Sequence, residues 1–334
     1  MHDETVTRLL QKAIDARESL FGTRHENAFR LFNGFTEGYP PLSLDLYAGT
    51  VIFHNYHPDA SLGMADVHET QGVLRDKLSW LRAGIAKSRN STSQDERRGK
   101  VLFGESVDRK VNEHGVWYAI DLTMNRDTSL YLDTRNLRKW LIENMKGKRV
   151  LNTFAYTGSL GVAALAGGAS RVVQLDRNRK FLNLAKESYT LNGFSIHKQD
   201  FIVSDFFPTM SQFKRANERF DCVIIDPPFF STTSKGKVDQ VRESARLINK
   251  VRPLVEDEGY LIAINNALYS SGKEYMQTLE ALCEDGYLKI EELIPVPEDF
   301  VGYTKASAYI TDPDPFNHST KIAVLSVKRK KEKE

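Results

Sequence analysis

The spacing of hydrophobic and polar positions changes along the chain and marks regions of different structure. Near the start, apolar residues such as Val6, Leu9 and Ala13 recur every three or four positions, which predicts an amphipathic helix over 4–21. From about 27 to 57 the pattern becomes short β-rich runs broken by glycine and proline turns. The pattern therefore predicts an N-terminal helical segment, 1–26, followed by strands.

The middle of the first region mixes both periodicities. A second helix is predicted over 70–87, and the polar stretch 88–100 is predicted to lack regular structure. Strands are expected to resume around 101–103 and 116–122. Residues 27–127 are accordingly predicted to form a smaller, β-rich α+β domain, which we expect to bind substrate.

From about residue 128 to 330 apolar strands alternate with helical stretches. The predicted strands are 148–153, 171–175, 200–204, 220–225 and 259–264, with a terminal strand at 321–327. This alternation is typical of an α/β fold with a Rossmann-like, doubly wound parallel sheet, in which ligands bind at the carboxyl ends of the strands. The charged tail 331–334 is expected to be solvated.

Composition narrows the class of protein. A chain of 334 residues corresponds to roughly two domains, and a net charge of +2 excludes a bulk polycation that binds nucleic acid by charge alone. Two cysteines, Cys222 and Cys283, lie in apolar patterns, which suits a reducing cytoplasm without disulfides. With neither a basic leader nor a run of 18 apolar residues, export and membrane insertion are not expected.

The turn after the first strand of the second region has the features of a ligand-binding loop. Its residues of interest are Asn152, Phe154, Tyr156, Thr157 and Gly158. Glycine before a helix allows the backbone and the helix amides to approach a ligand closely. The dinucleotide fingerprint G-x-G-x-x-G is absent, and two aromatic residues stand where a pyrophosphate requires bare backbone, so NAD is disfavoured.

Acidic residues follow the next two strands. Asp176, about 20 residues beyond the glycine turn, is placed to accept the hydroxyls of a ribose, or else to cap the helix that begins near Asn178. Asp205 is placed to accept an exocyclic adenine amine, with a plain N-cap as the alternative.

The fourth strand ends in Asp226-Pro227-Pro228-Phe229-Phe230, the strongest signal in the chain. Two prolines cannot donate backbone hydrogen bonds, so this segment is predicted to be a stiff turn that presents carbonyl groups and a carboxylate. An unpaired base could be accepted by Asp226 and the Pro227 carbonyl, and could stack on Phe229 or Phe230.

Two other polar clusters are less specific. His54, His57 and His68 do not follow a metal-ligand spacing, so no metal is predicted. The segment 234–237 lacks the P-loop pattern and is predicted to be a loop in which Lys235 contacts substrate phosphate.

With these motifs in view, the chain resembles class I S-adenosylmethionine-dependent methyltransferases. Within that class, three runs resemble the large-subunit enzymes that methylate cytosine C5 or guanine N7 in 23S ribosomal RNA: 27–38, Tyr131-Leu-Asp133-Thr-Arg135 and Arg149–Gly158. Unlike many of those relatives, the chain is expected to lack an N-terminal PUA domain.

The resemblance implies a set of S-adenosylmethionine contacts. These are Tyr131, Asp133, Arg135, Asn152, Phe154, Tyr156, Thr157, Gly158, Asp176, Arg177, Asp205 and Asp226. For Asp133 and Arg135, a capping role or a surface ion pair is the alternative.

The type of acceptor atom follows from the cysteines. Cytosine C5 needs a thiolate that adds to C6, but both cysteines are predicted to pack in the core, and Asn265-Asn266 stands where the C5 enzymes carry their catalytic cysteine. A nitrogen acceptor is therefore favoured, with Asn266 as a further substrate contact.

The predicted function is transfer of a methyl group from S-adenosylmethionine to a base nitrogen in RNA, expected to be 23S ribosomal RNA. Asp226, Pro227, Pro228 and Phe229 are the predicted catalytic residues. The alternatives are methylation of a protein side chain or small molecule, and an RNA-binding protein that keeps the pocket without turnover. A nicotinamide oxidoreductase is a more distant alternative, and a homodimer is left open.

Overall fold

The computed structural model describes residues 5–233, 236–240, 243–301 and 312–329, with the side chains of 232, 233, 236 and 237 left aside. The chain forms two compact units. The first contains Met1–Leu132 and Pro297–Ala308, and the second contains Asp133–Val296 and Tyr309–Glu334. The first unit therefore takes a short segment from late in the chain.

The first unit combines helices with two small sheets. Its helices are α1 (Val6–Ala16), α2 (Ala60–Lys77), α3 (Gln94–Arg98) and, from the late segment, α10 (Glu298–Val301). Its strands are β1 (Ala28–Phe32), β2 (Leu42–Tyr47), β3 (Thr50–Asn55), β4 (Ala83–Ser88), β5 (Lys100–Phe103), β6 (Lys110–Glu113) and β7 (Val116–Ala119).

Five of these strands form one sheet in the order β1-β2-β3-β4-β5, in which only the β3–β4 pairing is parallel. Alternate residues of β2, such as Leu42 and Leu44, are buried in an apolar core with Leu10 of α1 and Val67 and Leu74 of α2. The apolar residues that alternate along the strands therefore pack, on one face of the sheet, against those that recur every three or four positions along the helices.

The helix predicted over 70–87 has the right length but the wrong position, ten residues too late in the chain. The observed α2 begins at Ala60, where the Asp59 side chain accepts hydrogen bonds from two backbone amides, and ends at Lys77. The following apolar run is strand β4, because Ala83–Ser88 finds a parallel partner in Thr50–Asn55. That partner is distant in sequence, so no local pattern could indicate it.

Two smaller differences also have local causes. The first helix ends at Ala16, and a short 3₁₀ turn, Glu18–Leu20, completes the predicted segment. The polar stretch 88–100 is not without structure, because the Ser93 side chain accepts a hydrogen bond from Glu96 N and caps α3.

The second unit contains the longer sheet and its flanking helices. Its strands are β8 (Arg149–Thr153), β9 (Arg171–Asp176), β10 (Phe201–Val203), β11 (Phe220–Ile225), β12 (Phe230–Thr233), β13 (Gly236–Asp239), β14 (Val255–Asn265), β15 (Leu288–Leu293) and β16 (Lys321–Val327). Its helices are α4 (Arg135–Asn144), α5 (Ser159–Ala166), α6 (Arg179–Leu191), α7 (Phe206–Arg215), α8 (Ser244–Val251) and α9 (Gly272–Cys283).

Seven of the strands form a sheet in the order β10-β9-β8-β11-β14-β16-β15. The pairings from β10 to β14 are parallel, and β16 runs antiparallel to both of its neighbours. Apolar cores lie on both faces, with α7, α8 and α9 contributing to one and α4 and α5 to the other. The prediction that the chain combines a Rossmann-like, doubly wound α/β sheet with a smaller α+β unit is confirmed.

This topology positions a site. From β8 the chain winds outward to β9 and β10, and then returns to add β11 and β14 on the other side of β8. The carboxyl ends of β8 and β11 therefore flank the point where the winding direction reverses, which is where open α/β sheets bind their ligands.

Candidate active site

The turn after β8 has an unusual backbone. Phe154, Tyr156 and Gly158 all have positive φ, at 54°, 50° and 76°. Such values are uncommon for residues with a side chain, and they concentrate at functional loops that the surrounding structure holds in place. Gly158 is the N-cap of α5, so this turn leads directly into a helix N-terminus.

A buried glutamine supports the turn from below. Gln174, in the middle of β9, is fully buried, accepts a hydrogen bond from Asn152 Nδ2 at 2.8 Å and donates to the Gly158 carbonyl at 3.2 Å. A Cβ on Gly161 would stand 2.1 Å from Gln174 Nε2, so a larger residue there would displace the Gln174 amide. Asn152 is itself 1% exposed, and its Oδ1 is buried without a hydrogen-bond partner.

Asp176 lies against the same turn. Its carboxylate accepts hydrogen bonds from Tyr156 N at 2.9 Å and from Asn178 N at 2.8 Å. Burial raises the pKa of Asp176, and the backbone amides oppose that rise by favouring the charged form. A carboxylate offers about four acceptor positions, so capacity for a ligand hydroxyl remains. The helix cap proposed as an alternative for Asp176 is instead Asn178, whose side chain accepts from Lys180 N.

Asp205 does cap a helix. Its side chain accepts a hydrogen bond from Phe207 N at 3.1 Å at the start of α7. Its second oxygen lies 4.0 Å from Arg177 Nε, whose side chain is mostly exposed. Phe206, the next residue, stacks on Phe154 with ring centroids 4.7 Å apart. An aromatic pair therefore joins the turn after β8 to the end of β10.

The remaining aromatic of the turn, Tyr156, makes an edge-to-face contact with Phe181 of α6 at 4.5 Å. Thr157, between Tyr156 and Gly158, is buried. The loop is thus held by ring contacts as well as by hydrogen bonds.

Asp226 follows β11, the strand next to β8. It is partly exposed, yet desolvation and the nearby negative charge of Asp133 raise its pKa to about 7. Asp133 accepts a hydrogen bond from Thr320 Oγ1 at 2.8 Å, which fixes this second carboxylate in the second unit. Although Asp133 and Asp226 are far apart in sequence, the fold therefore places them close enough for the charge of one to affect the pKa of the other.

The residues that follow Asp226 differ in how much of their surface is exposed. Pro227 is buried and Pro228 is exposed, while Phe229 and Phe230 expose 42% and 56% of their surfaces. Since large apolar residues are seldom left so accessible side by side, these rings form a surface available for stacking. Leu268 and Tyr269, which follow β14, are also exposed.

Asn266 lies at the end of β14, next to β11 in the sheet, and is partly exposed. Its Oδ1 is buried without a partner. Arg135 is the first residue of α4 and is partly exposed. Tyr131 is exposed and belongs to the first unit, and Lys235 lies outside the described residues, as does the 331–334 tail.

Neither cysteine belongs to the turns described above. Cys222 is fully buried within β11, where desolvation strongly raises the pKa of its thiol, and Cys283 ends α9 with a raised pKa for the same reason. The prediction that Cys222 packs in the core is confirmed.

No described helix is both long enough and apolar enough to cross a membrane. Within the same part of the chain, no group of three or more histidine, cysteine or acidic side chains is arranged to hold a metal ion.

The order of the seven-stranded sheet, the glycine turn at the winding reversal and the carboxylates at successive strand ends define a Rossmann-like methyltransferase fold. The sequence profile of the S-adenosylmethionine-dependent methyltransferase family matches residues 87–308. The chain belongs to this family, and it is an enzyme whose cofactor is S-adenosylmethionine.

Individual relatives are named for activity on ribosomal RNA. YwbD of Bacillus subtilis, provisionally named a ribosomal RNA large subunit methyltransferase, is 31% identical over 300 residues, covering 87% of this chain and 74% of YwbD. Ribosomal RNA large subunit methyltransferase I of Aeromonas salmonicida is 30% identical over 226 residues, covering 67% and 57% of the two chains. Methyltransferase K/L of Shewanella frigidimarina is 32% identical over 269 residues, covering 78% and 36%. The chain thus spans only part of the last two relatives.

Solved structures agree on the fold. SMU.776, provisionally described as a methyltransferase and solved with SAH, superposes with a TM-score of 0.84 at 23% identity, covering 96% of this chain and 80% of its own. An S-adenosylmethionine-dependent methyltransferase from Agrobacterium tumefaciens gives 0.62 at 17% identity, covering 86% and 88%.

The residues present fit the cofactor. A Cβ on Gly158 would stand 2.6 Å from Ala185 Cβ, so the turn keeps a bare backbone at the helix N-terminus. Asp176 provides a carboxylate beside it. Gln174 is a site residue that the sequence motifs do not include, and its one signal in the sequence is an amide within the apolar run Val172-Val-Gln-Leu175.

Proposed function

We propose that this enzyme methylates a nitrogen atom of a base in ribosomal RNA. The observation that carries the proposal is the turn at 226–230, where a carboxyl group with a pKa of about 7 stands beside two exposed phenylalanine rings. A carboxylate that accepts a hydrogen bond and a ring that stacks are the two features that hold an unpaired base. The names of the relatives support ribosomal RNA as the substrate, which would place the enzyme in the cytoplasm.

The positions of the two cysteines favour nitrogen over carbon as the acceptor. Methylation at cytosine C5 needs a thiolate within reach of C6. The Cys222 thiol is fully buried, and burial keeps it protonated. Neither this thiol nor Cys283 follows a site strand, so a carbon acceptor has no nucleophile from this chain.

The proposal extends to the residues that would hold the cofactor. S-adenosylmethionine, when bound, supplies a methyl group on a positively charged sulfur. We assign the methionine part to the turn 152–158, the ribose to Asp176, and the adenine to Asp205 with Arg177 beside it. Asp133 and Arg135 would border the pocket.

Asp226 has a distinct role for each kind of nitrogen. With an exocyclic amine as acceptor, the ionised Asp226 would accept a hydrogen bond from the amine, orient its lone pair and take up the proton that the amine loses on methylation. Guanine N7 carries no proton, so with this acceptor Asp226 would orient the base and stabilise the positive charge that develops on it. Phe229, Phe230 and Asn266 would hold the base, and Lys235 a phosphate.

The proposal is tested on cellular RNA. Nucleosides of ribosomal RNA from cells with and without the gene are compared by mass spectrometry, and the RNA that lacks the mark is then incubated with purified enzyme and labelled S-adenosylmethionine. We expect one methylated base to disappear and to be restored in vitro. If no nucleoside changes and label passes instead to protein or small molecules, the RNA substrate is wrong. If the cofactor binds but no acceptor is labelled, the chain is a binding protein.

The catalytic assignment has its own test. Asp226→Ala should lower kcat/KM for RNA by about 10²-fold, because the group that orients the acceptor is removed. Glu280→Gln, which changes an exposed carboxylate on α9, serves as the control and should behave as wild type. Near wild-type transfer by Asp226→Ala would show that the carboxylate has no part in the reaction.

A further inference from the structure

The Asp226-Pro227-Pro228 turn contains two residues that cannot stabilise it with backbone N–H donors. Proline has no backbone N–H, so residues 227 and 228 cannot donate hydrogen bonds that would fix the turn. A turn that positions a reacting base within a fraction of an ångström needs support from outside itself.

That support comes from Gln240. It follows β13 and is only 2% exposed, and its side-chain Nε2 donates a hydrogen bond to the Pro227 carbonyl. Its Oε1 accepts a hydrogen bond from Asn266 N at 2.7 Å. One amide side chain thus connects the turn after β11 to the end of β14.

The backbone of Gln240 is held from both sides. Its N–H donates to the Phe229 carbonyl at 3.1 Å, and its carbonyl accepts from Asn265 Nδ2 at 3.2 Å and from Ser244 Oγ. The side chain therefore starts from a backbone that is already tied to the turn, to β14 and to α8.

The residue type is set by the two partners. The Pro227 carbonyl can only accept a hydrogen bond and the Asn266 N–H can only donate one, so the group between them must carry a donor and an acceptor in one fork. An amide does this at every pH. An ionised carboxylate offers acceptors alone and would repel the Pro227 carbonyl, whereas a protonated carboxylic acid could again make both bonds.

We infer that Gln240 is a positioning residue that sets the Asp226-Pro-Pro-Phe turn against Asn266 for methyl transfer. It touches neither the cofactor nor the base through the bonds described. It also takes one of the two lone pairs of the Pro227 carbonyl, so a substrate amine can use only the other. The kinetic effect of this role rests on the proposed function, because it is measured with RNA as the substrate. Its structural effect, a turn that Gln240 holds against Asn266, does not depend on the substrate.

The kinetic test uses Q240E and Q240M, with Q212E as a matched control because Gln212 is exposed on α7. With ribosomal RNA that lacks the mark as acceptor, both Gln240 variants should lower kcat by about 10-fold or more, with the KM for S-adenosylmethionine within twofold of wild type. The deficit of Q240E relative to wild type should grow as pH rises, since the introduced carboxyl then ionises, and that of Q240M should not. Q212E should match wild type.

A second measurement is independent of the substrate. Amide hydrogen exchange should accelerate in segments 226–231 and 264–268 of both Gln240 variants, while the segment 154–161 keeps its protection. If RNA is not the substrate, this pattern still appears and only the kinetic arm fails. Wild-type protection of both segments, or a rise in the KM for the cofactor with kcat unchanged, would overturn the assignment.

Discussion

Asp226 is held in a state that costs the folded protein stability at neutral pH. Its pKa is raised to about 7 from an ordinary value of 3.8, because burial removes water from the carboxylate and Asp133 adds a second negative charge. A carboxylate that is difficult to ionise near pH 7 is suited to gaining or losing a proton during a reaction at that pH. The same energetic cost makes the group visible in stability measurements.

We expect Asp226→Asn to stabilise the protein, and increasingly so as pH rises. The folded state binds the Asp226 proton more tightly than the unfolded state, so the wild type loses stability with rising pH from about 4 until the carboxyl has ionised at about 7. An amide does not ionise and escapes this loss. The melting temperature of Asp226→Asn minus that of wild type, without cofactor, should therefore be larger at pH 8 than at pH 5.5.

Glu280→Gln is the control, since Glu280 is exposed and its substitution removes a charge without changing the site. Its difference from wild type should be nearly the same at both pH values. A difference for Asp226→Asn that is also independent of pH would show that Asp226 ionises at an ordinary pKa.

At the scale of elements, the turn between β8 and α5 combines strain with close packing. Three residues of the turn have positive φ, and a Cβ on Gly158 would meet Ala185 at 2.6 Å. At position 158, where the turn lies so near α6, only glycine can therefore adopt this shape without a clash. We expect a substitution here to affect cofactor binding before it affects the rest of the sheet.

Gly158→Ala should weaken S-adenosylmethionine binding by about tenfold or more, because both the left-handed conformation and the steric clash displace the turn. Gly193→Ala is the matched control: Gly193 also has a positive φ, at 70°, but no atom lies within 4 Å of an added Cβ. It should lose about 1 kcal/mol of stability and bind the cofactor normally. Calorimetry gives the affinity, and the cofactor-induced rise in melting temperature provides a second measure. Equal affinities for the two variants would contradict this role of the turn.

Prediction from sequence worked unevenly among the elements. The strands that end at Thr153, Asp176 and Ile225 could be predicted because each is a short apolar run bounded by its own turn residues. Strand β15, Leu288–Leu293, was missed because its run Leu-Lys-Ile-Glu-Glu-Leu is amphipathic and the strand with which it pairs, β16, comes later in the chain. The helix predicted over 70–87 failed for a related reason, since β4 depends on pairing with β3.

At the scale of the whole molecule, the first unit depends on a segment from the other end of the chain. Asp299 of α10 is 1% exposed, and its carboxylate accepts a hydrogen bond from Arg30 N of β1 at 2.8 Å. Its carbonyl accepts from Arg17 Nη2 at 3.2 Å, and the Arg30 guanidinium lies over the Phe300 ring. This segment closes the first unit, although its residues follow most of the second unit in sequence.

Asp299→Ala should therefore destabilise the first unit by about 1–3 kcal/mol, since Arg30 N loses its acceptor while it stays partly buried. Glu298→Ala, a change at an exposed neighbour, should have little effect. Urea unfolding gives the free energy, and hydrogen exchange in 28–32 locates the loss. Unchanged exchange in that segment would mean that α10 is not needed to close the unit.

The origin of each part of the site follows from these scales. Asp176, Asp205 and the Asp226-Pro-Pro-Phe turn could be found in the sequence, because a carboxylate or a pair of prolines after an apolar strand is a local feature that survives in any fold built on that strand. Gln240, the approach of Asp133 to Asp226 and the return of Asp299 to the first unit could not, because each joins residues that are far apart along the chain. Such contacts acquire their geometry only when the strands pair and the cores close, so the folded chain alone specifies them.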